Sequence, residues 1–314
     1  MYHLASSFFG VFERLSLYHA QSGNGFSIVP GFGACLLDLT LGGQPVLDVY
    51  TTPDLLLENY WGKNTLLFPF PNRLKNGQYE WQGRQYQFPI NDQATGNALH
   101  GFGMDKPMRV EELLAEEQSA QIICMYSSRG EHPAYPFPFT FVISFLIEEP
   151  NCFSGEITFQ NDGEQPIPVG FGWHPYFKIA AQIEIVSLQL PGGEKIEIDE
   201  SMIPTGVRHP STAFHHLEKI GNAVLDNCFA LPANEGKAEV LIESKHGVLH
   251  YWQETGVGKF NFLQIFTPPH RQSIAIEPMT CNINAFNNKE GLITLEPGQT
   301  ASARFGLQFD KKES

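Results

Sequence analysis

A histidine in the segment VGFGWHPYF is the first candidate for chemistry in this sequence. His174 precedes Pro175, which favours an extended backbone and restricts the conformations open to the histidine. Gly170 and Gly172 allow another backbone or a ligand to come close. An imidazole held in this way is suited to proton transfer. The alternative is a structural histidine at the end of a strand, since histidine often serves that role.

A carboxylate in SIAIEPMTCNINAFN is the second candidate. Strand alternation places Glu277 on the face opposite Ile274 and Ile276. Because Pro278 follows it, we expect Glu277 to end its strand and to project from a rigid edge. Burial beside an apolar run would raise the pKa of Glu277 and make it a usable base near neutral pH. The alternative is an ordinary strand-end glutamate in water.

Binding groups come from three further segments. In LLFPFPNRL, two prolines stiffen the loop that presents Asn72 and Arg73, and the guanidinium is able to grip hydroxyls or a carboxylate. In NALHGFG, Gly101 lets the chain turn sharply after His100 and expose the ring. In AVLDNCFAL, Asp226 is able to accept hydrogen bonds from hydroxyls. A surface ion pair, a structural histidine and a turn cap are the respective alternatives.

A metal site is a further alternative for the same residues. Two histidines and one carboxylate are able to hold iron, and all-β scaffolds host such sites. Neither His100 nor His174 belongs to the tight His-x-Asp/Glu pair that is typical of them. The five cysteines are scattered without CxxC spacing, which disfavours a zinc site or a disulfide framework. We find no phosphate-binding loop, nucleophile elbow or dinucleotide motif.

Charge and hydropathy exclude several classes of protein. The formal net charge of −14 disfavours nucleic-acid binding, since the phosphate backbone would be repelled. No basic cluster suited to a membrane surface occurs, and no apolar stretch is long enough to span a bilayer. The first twenty residues lack the features of a signal peptide. We therefore expect a cytoplasmic protein.

The elements that must position these side chains are predicted to be strands. Short apolar runs bounded by turn residues dominate the sequence, among them FTFVISFLIE, KFNFLQIFT and ASARFGLQF. GQYEWQGRQYQF predicts a hairpin with Gly83 near its turn, and the stretch 161–163 (NDG) is suited to a turn with positive φ. RVEELLAEEQSA fits a short helix or a charged edge strand. Glycine and proline are spread evenly, which favours one all-β domain over residues 1–314.

Together these segments resemble the aldose 1-epimerases, the galactose mutarotase family. The matching motifs stand in family order along most of the chain: FPNRL, LHG, HPYF, IPTG, LDNCF and EPMTCNINAFN. The last of these is the most specific. The sequence departs from the family pattern at Cys281, where glycine is usual. It also has Gly101-Phe102-Gly103 where the family commonly has paired glycines after the histidine.

The resemblance implies a large antiparallel β-sandwich with an open sugar-binding cleft and no metal or organic cofactor. It makes Glu277 the catalytic base, His174 the general acid and His100 a second active-site histidine. It also makes Arg73 and Asp226 sugar-binding residues, with Asn72 beside them. The expected activity is exchange of α and β anomers of a free hexose, with a monosaccharide as partner. A hexose-phosphate mutarotase, with Arg84, Lys63 and Lys75 as possible extra cations, and a non-catalytic sugar-binding protein remain as alternatives.

Overall fold

A computed structural model describes residues 1–312, and nearly all of their regular structure is β-strand, which confirms the predicted all-β class. The first strands are β1 (Tyr2–Phe9), β2 (Phe12–His19), β3 (Gly25–Val29), β4 (Cys35–Leu41), β5 (Gln44–Pro45), β6 (Leu66–Leu67), β7 (Arg73–Leu74), β8 (Gln78–Trp81), β9 (Arg84–Gln87) and β10 (Ala98–Leu99). The central strands are β11 (Arg109–Ala115), β12 (Ser119–Arg129), β13 (Pro138–Glu148), β14 (Cys152–Asn161), β15 (Ile167–Val169), β16 (Gly172–Trp173), β17 (Tyr176–Phe177) and β18 (Ser187–Gln189). The last strands are β19 (Glu194–Ile198), β20 (Pro204–Pro210), β21 (Glu218–Lys219), β22 (Asp226–Ala230), β23 (Gly236–Glu243), β24 (Gly247–Thr255), β25 (Phe262–Phe266), β26 (Ile274–Met279), β27 (Ile293–Leu295) and β28 (Thr300–Lys311).

The strands form three main antiparallel sheets. A five-stranded meander has the order β1-β2-β3-β4-β5, and a nine-stranded sheet has the order β11-β12-β13-β14-β28-β24-β23-β18-β21. An eight-stranded sheet has the order β20-β19-β22-β25-β26-β16-β6, with β17 also pairing to β26. Two-stranded ladders join β7 to β10, β8 to β9 and β15 to β27. The only helices within residues 1–312 are α1 (Pro53–Glu58), α2 (Ala285–Asn288) and two 3₁₀ turns, Lys75–Gly77 and Ile183–Ile185.

The sheets pack against one another through aromatic side chains. The Trp173 ring of the eight-stranded sheet stacks on the Phe305 ring of the nine-stranded sheet, with ring centroids 4.3 Å apart. Phe26 of the meander packs edge-on against Phe153. Buried and half-buried residues alternate strictly along β13, as expected for a strand with one face in a core. The fold is thus a layered β-sandwich, and the high phenylalanine content supplies its core.

Several local predictions are confirmed and two need correction. The hairpin of β8 and β9 has Gly83 at its turn, with φ 76°. The stretch predicted as a helix or an edge strand forms β11, at the edge of the nine-stranded sheet. The stretch 161–163 is suited to positive φ, but none of its three residues adopts it, so that prediction is wrong. Instead the Asn161 side chain accepts a hydrogen bond from the Gly163 N–H (2.9 Å) and donates to Leu295 O.

The second correction concerns the strand of Glu277. Glu277 does not end its strand, because β26 continues through Pro278 to Met279 in the interior of the eight-stranded sheet. A proline there would normally remove a ladder hydrogen bond. Here the ladder to the neighbouring segment continues on both sides of Pro278, since the Ile276 N–H donates to Pro175 O (3.3 Å) and the Thr280 N–H donates to Phe171 O (3.0 Å). Residues of β26 are buried on both faces, one in the core and one in a cleft.

The structure bears on the prediction that no segment spans a bilayer. Within residues 1–312, no helix is long and apolar enough to cross a bilayer. The extent of the predicted domain over residues 1–314 stays a prediction, since its last two residues lie outside the described range.

Candidate active site

The register of the eight-stranded sheet brings His174 next to Glu277. Gly172 of β16 pairs with Met279, and Tyr176 of β17 pairs with Ala275. Both pairs belong to the same antiparallel register, so the residue between β16 and β17 that lies opposite Glu277 is His174. The His174 Nε2 atom lies 3.4 Å from Glu277 Oε1. Two residues a hundred positions apart therefore meet because their strands are neighbours.

Both side chains are deeply buried and incompletely hydrogen-bonded. Glu277 is 2% exposed and His174 is 5% exposed. Glu277 Oε2 and His174 Nδ1 have no hydrogen-bond partner among the described residues. Buried polar atoms are nearly always paired, because an unpaired one costs roughly 1–3 kcal/mol. Two facing ionisable groups are therefore buried at a cost in stability.

The backbone of His174 is fixed from the side opposite Glu277. Its carbonyl accepts a hydrogen bond from the Asn64 N–H (2.8 Å), and its N–H donates to Thr65 O (3.0 Å). The imidazole lies parallel to the Tyr176 ring, with centroids 5.0 Å apart and an interplanar angle of 2°. The HPYF segment therefore holds one face of the imidazole against a flat partner.

His100 enters the site through a short ladder with Asn72. Strands β7 and β10 pair Arg73 with Leu99, and the ladder continues to Asn72 and His100. His100 N–H donates to Asn72 O (2.8 Å), and Asn72 N–H donates to His100 Nδ1 (3.1 Å). Both residues have positive φ, 57° and 63°. Because Nδ1 accepts a hydrogen bond, the neutral ring carries its proton on Nε2.

The sharp turn after His100 depends on glycine. Gly101 has φ 65°, and a Cβ there would lie 2.2 Å from Phe68 O. The LHG motif thus permits a close approach between the two backbone segments that carry His100 and Asn72. The predicted sharp turn is confirmed, but the prediction that it exposes the ring is wrong, because His100 is only 7% exposed at the cavity wall.

Arg73 is held in place by an acidic partner that the sequence did not reveal. Its Nε donates to Asp92 Oδ2 (2.8 Å), which also accepts from the Thr95 hydroxyl (2.6 Å). Burial alone would raise the pKa of Asp92, but these hydrogen bonds and the Arg73 charge lower it. Asn284 N–H donates to Arg73 O (2.7 Å), so the AFN end of the Glu277 motif fixes the arginine backbone. The Nη atoms of Arg73 have no hydrogen-bond partner within residues 1–312.

Gln264 is a site residue that the sequence reasoning missed. It lies on β25 directly opposite Glu277 and is 5% exposed. Its Nε2 donates to Asp226 Oδ1 (2.7 Å), and its Oε1 accepts from Asn72 Nδ2 (3.3 Å). One amide therefore connects two of the expected sugar-binding residues. A lone glutamine in the apolar run NFLQIF was the available signal.

Burial dominates the proton affinities of the central pair. It raises the pKa of the Glu277 carboxyl well above its ordinary value, and the nearby Asp226 charge raises it further, while Arg73 opposes both. Burial lowers the pKa of the His174 imidazole to about 3. Of the two groups, Glu277 therefore binds a proton more tightly than His174 does. This confirms the expected direction for Glu277 but corrects the picture of a resting histidine that is already protonated.

Burial also lowers the pKa of His100 well below its usual range, assisted by His174 and Arg73. The carboxyl of Asp226 has a raised pKa, mainly from burial. In both groups burial disfavours the charged form.

These residues surround a cavity of about 560 Å³. All six residues expected from the sequence line it, together with Gln264, Asp92 and several aromatic residues. His100, His174 and Glu277 also offer ligand atoms within 4.8 Å of one another, so the same three side chains are able to approach a metal ion. The arrangement is suited to binding a neutral, hydroxyl-rich ligand and to moving a proton at its centre.

The sequence is similar to a known family along most of its length. The family model described as aldose 1-epimerase matches residues 16–308. The uncharacterized protein YihR of Escherichia coli (strain K12) is 30% identical over 292 residues, which cover 89% of each chain. The galactose mutarotase of Rattus norvegicus is 28% identical over 153 residues, which cover 46% of this chain and 42% of that one.

Solved structures share the fold at low sequence identity. A galactose mutarotase-like protein from Clostridium acetobutylicum superposes with a TM-score of 0.87 at 20% identity and 99% coverage of both chains. The galactose 1-epimerase from Lactobacillus acidophilus gives a TM-score of 0.84 at 16% identity and covers 100% of this chain and 99% of its own. The expected galactose mutarotase-like sandwich is confirmed by these matches.

Proposed function

Since this chain belongs to the aldose 1-epimerase family, we propose that it interconverts the α and β anomers of a free hexose. The observation that carries the proposal is the buried His174–Glu277 pair, whose unpaired polar atoms belong to groups that line the cavity. The reaction needs one group that takes a proton from the O1 hydroxyl and one that gives a proton to the ring oxygen. A carboxylate and an imidazole on neighbouring strands supply both.

Ring opening is balanced within the pair. Glu277 accepts the O1 proton while His174 donates a proton to O5, the C1–O5 bond breaks, and C1=O1 forms. Rotation about C1–C2 then presents the other face of the aldehyde. Reclosure returns the O5 proton to His174 and a proton from Glu277 to O1. Each proton transfer contributes on the order of 10²–10⁴-fold in rate.

One proton on the pair is sufficient for this cycle. Between the two groups that proton favours Glu277, because burial raises the pKa of the carboxyl and lowers that of the imidazole. Sugar hydroxyls that donate to the Glu277 carboxylate favour its charged form, because hydrogen bonds to a charged group stabilise that charge. Substrate binding thereby moves the proton to His174, which then serves as the acid.

The remaining residues orient the ring. We assign the free Nη groups of Arg73 and the carboxylate of Asp226 to the sugar hydroxyls, with Asn72 beside them. His100, neutral and protonated on Nε2, donates a hydrogen bond to a substrate oxygen. Such orientation lowers the activation barrier, because the entropy of aligning the reacting groups is lost on binding and not in the chemical step.

Charge favours an unphosphorylated sugar. Among residues 1–312, Arg73 is the only lysine or arginine that lines the cavity, and it is already paired with Asp92. Lys63 pairs with Asp48 (2.9 Å) outside the cavity lining. Lys75 and Arg84 are exposed and do not line it either. A phosphate would therefore meet the Nη groups of a single arginine, whose charge Asp92 already offsets, together with Glu58 and Asp226.

The test is polarimetry on freshly dissolved α-D-glucose, α-D-galactose and glucose 6-phosphate, with and without protein. We expect faster equilibration of at least one free hexose, with glucose 6-phosphate slower. Glu277→Gln should abolish the acceleration. Glu243→Gln, which removes a carboxylate that pairs with Lys312 far from the cavity, is the matched control and should remain active.

The outcomes separate the alternatives. Acceleration of glucose 6-phosphate alone would favour the hexose-phosphate mutarotase. Calorimetric binding of a hexose without acceleration would favour a sugar-binding protein. Activity that is lost after exhaustive chelation and restored by a metal would favour a metal held by His100, His174 and Glu277.

A further inference from the structure

A buried asparagine outside the cavity lining holds the segment that carries His174. Asn64 is fully buried and lies just before β6, the strand that pairs with β16. Its backbone is left-handed, with φ 58°. No motif in the sequence singled it out, because the segment LLFPFPNRL begins two residues later.

Asn64 is hydrogen-bonded to the chain on both sides of Pro175. Its N–H donates to His174 O (2.8 Å), and its Oδ1 accepts from the Tyr176 N–H (3.1 Å). Pro175 itself has no N–H to donate. One residue therefore fixes the peptide groups at both ends of the step from His174 to Tyr176.

The amide nitrogen of Asn64 connects this step to two other parts of the fold. Its Nδ2 donates to Asp48 O (2.8 Å) and to Leu36 O of β4 (3.4 Å). The Asp48 N–H in turn donates to Tyr176 O (2.8 Å). A buried polar group whose hydrogen bonds are satisfied on every side is rigid. The backbone that Asn64 holds is therefore restrained as well.

The orientation of the His174 ring depends on this backbone. The ring nitrogen that faces away from a reaction centre is commonly held by a hydrogen bond, which sets the direction of the other nitrogen. In His174 that support is missing, since Nδ1 has no partner among the described residues. The parallel contact with the Tyr176 ring remains, and the backbone limits the available rotamers. The Nε2 atom nevertheless lies 3.4 Å from Glu277 Oε1.

We propose that Asn64 is a positioning residue, which acts through the backbone of residues 174–176 to keep the imidazole stacked on Tyr176 and directed at Glu277. Its effect on catalysis rests on the proposed function, whereas its effect on the ring does not. A misplacement of about 1 Å can lower the rate about 10²-fold.

The first test is kinetic. Asn64→Gly removes the side-chain hydrogen bonds, and glycine adopts the left-handed backbone without strain. For the best hexose we expect kcat to fall on the order of 10²-fold. We expect KM to stay nearly constant, because Arg73 and Asp226 keep their contacts. A fall in kcat/KM that arises from KM alone would overturn the proposal.

Asn161→Gly is the matched control. Asn161 is also fully buried, lies outside the cavity lining, and forms three side-chain hydrogen bonds with backbone groups, namely Gln165 O, Leu295 O and the Gly163 N–H. Asn64 loses the same number in its own glycine variant. The two variants should therefore be destabilised to a similar extent, while only Asn64→Gly loses kcat at a temperature where both are folded.

Asn64→Asp separates positioning from stability. Its carboxylate still accepts from the Tyr176 N–H but cannot donate to Asp48 O or Leu36 O. We expect a kcat above that of Asn64→Gly, although the buried carboxylate leaves the unfolding midpoint no higher. If kcat simply follows the unfolding midpoint across Asn64→Gly, Asn64→Asp and Asn161→Gly, Asn64 has only a structural role and the proposal is wrong.

NMR signals of the His174 ring protons give a readout that does not depend on turnover. The ring current of Tyr176 shifts these signals, and His174→Asn identifies them by their loss. Asn64→Gly should move them towards the values of an unstacked histidine, whereas Asn161→Gly should leave them in place. Unchanged His174 signals in Asn64→Gly would overturn the inference. If the wild-type protein turns over no sugar but Asn64→Gly still moves these signals, the positioning of the ring by Asn64 is supported and the epimerase proposal fails.

Discussion

Trp173 and His174 are consecutive in the chain, yet their side chains lie in two differently organised regions. Trp173 packs in the aromatic core, stacked on Phe305, and is fully buried. His174 faces the cleft and Glu277, where it is almost as deeply buried. On one side of the sheet, burial of apolar side chains stabilises the fold. On the other side, burial removes two ionisable groups from water without giving all of their polar atoms a hydrogen-bond partner.

Hydrogen bonding distinguishes the two regions further. In the core, Tyr79 donates to Ala134 O and Tyr135 donates to Pro168 O, both at 2.8 Å. The indole N–H of Trp173 is unpaired, but it is neutral and costs less than a buried charge. In the cleft the unpaired atoms belong to Glu277 and His174. The comparison indicates that the cleft gives up stability by keeping two incompletely hydrogen-bonded ionisable groups together.

The largest expected effect concerns His174. His174→Asn should lower kcat/KM for the best hexose on the order of 10²–10⁴-fold, because it removes the group that protonates the ring oxygen. Stability should change little, since the backbone contacts of this residue remain. Anomer exchange followed by polarimetry, with chemical unfolding of the same sample, measures both. Near wild-type exchange would remove the acid assignment.

Substitution of the neighbouring Trp173 should lower stability and leave activity almost unchanged. Trp173→Ala should cost about 3–5 kcal/mol in the free energy of unfolding, because it leaves a cavity between the two large sheets. The protein that remains folded at low temperature should keep kcat/KM close to that of wild type. Urea titration and polarimetry at that temperature provide the measurement. An equal loss of activity and stability in both variants would break the distinction between core and cleft.

Gln264 tests the boundary between the regions. Gln264→Leu should lower kcat/KM roughly 10-fold, because Asp226 and Asn72 lose the amide that connects them and each unpaired partner costs about 1–3 kcal/mol. The effect should appear mainly as a raised KM, since the His174–Glu277 pair is untouched. Conservative Gln264→Glu should keep the Asn72 contact, because a carboxylate still accepts, but lose the Asp226 contact, because it cannot donate. An unchanged KM would argue against a positioning role.

The smallest expected effect is that of pH near neutrality. As the pH falls, a second proton adds to His174 only near its lowered pKa of about 3. The value of kcat/KM should therefore stay constant down to a pH well below about 6.5, the ordinary histidine pKa. As the pH rises, activity is lost when the pair gives up its only proton at the raised pKa of Glu277. A pH–rate profile measures both limits. An acidic limb near pH 6.5 would contradict a pair held neutral by burial.

The strands were more predictable than the meeting of the site residues. Alternation in FTFVISFLIE and the glycine in GQYEWQGRQYQF indicate β13 and the β8–β9 hairpin directly, because period two and turn chemistry are local. The contact of His174 with Glu277 depends on the register of β16 and β17 against β26. No local pattern fixes that register, so only the resemblance to the family connected the two residues.

The misses also have physical reasons. The turn after β14 was expected to need positive φ, yet the Asn161 side chain supplies the hydrogen bonds instead. Asp92 and Gln264 act through partners that are distant in sequence. The roles of the six site residues and a cytoplasmic location stay predictions.

One measurement tests the central claim most directly: the anomer exchange rate and the unfolding midpoint of Glu277→Gln at pH 7 to 8. The folded-state pKa of Glu277 is raised, so its contribution to stability is full below about pH 4.5, its unfolded value, and declines as the pH rises towards the folded one. Glutamine removes that decline. We expect the exchange to be lost while the midpoint equals or exceeds that of wild type. Retained exchange, or lost exchange that merely follows unfolding, would contradict the claim that this buried carboxyl is kept for catalysis.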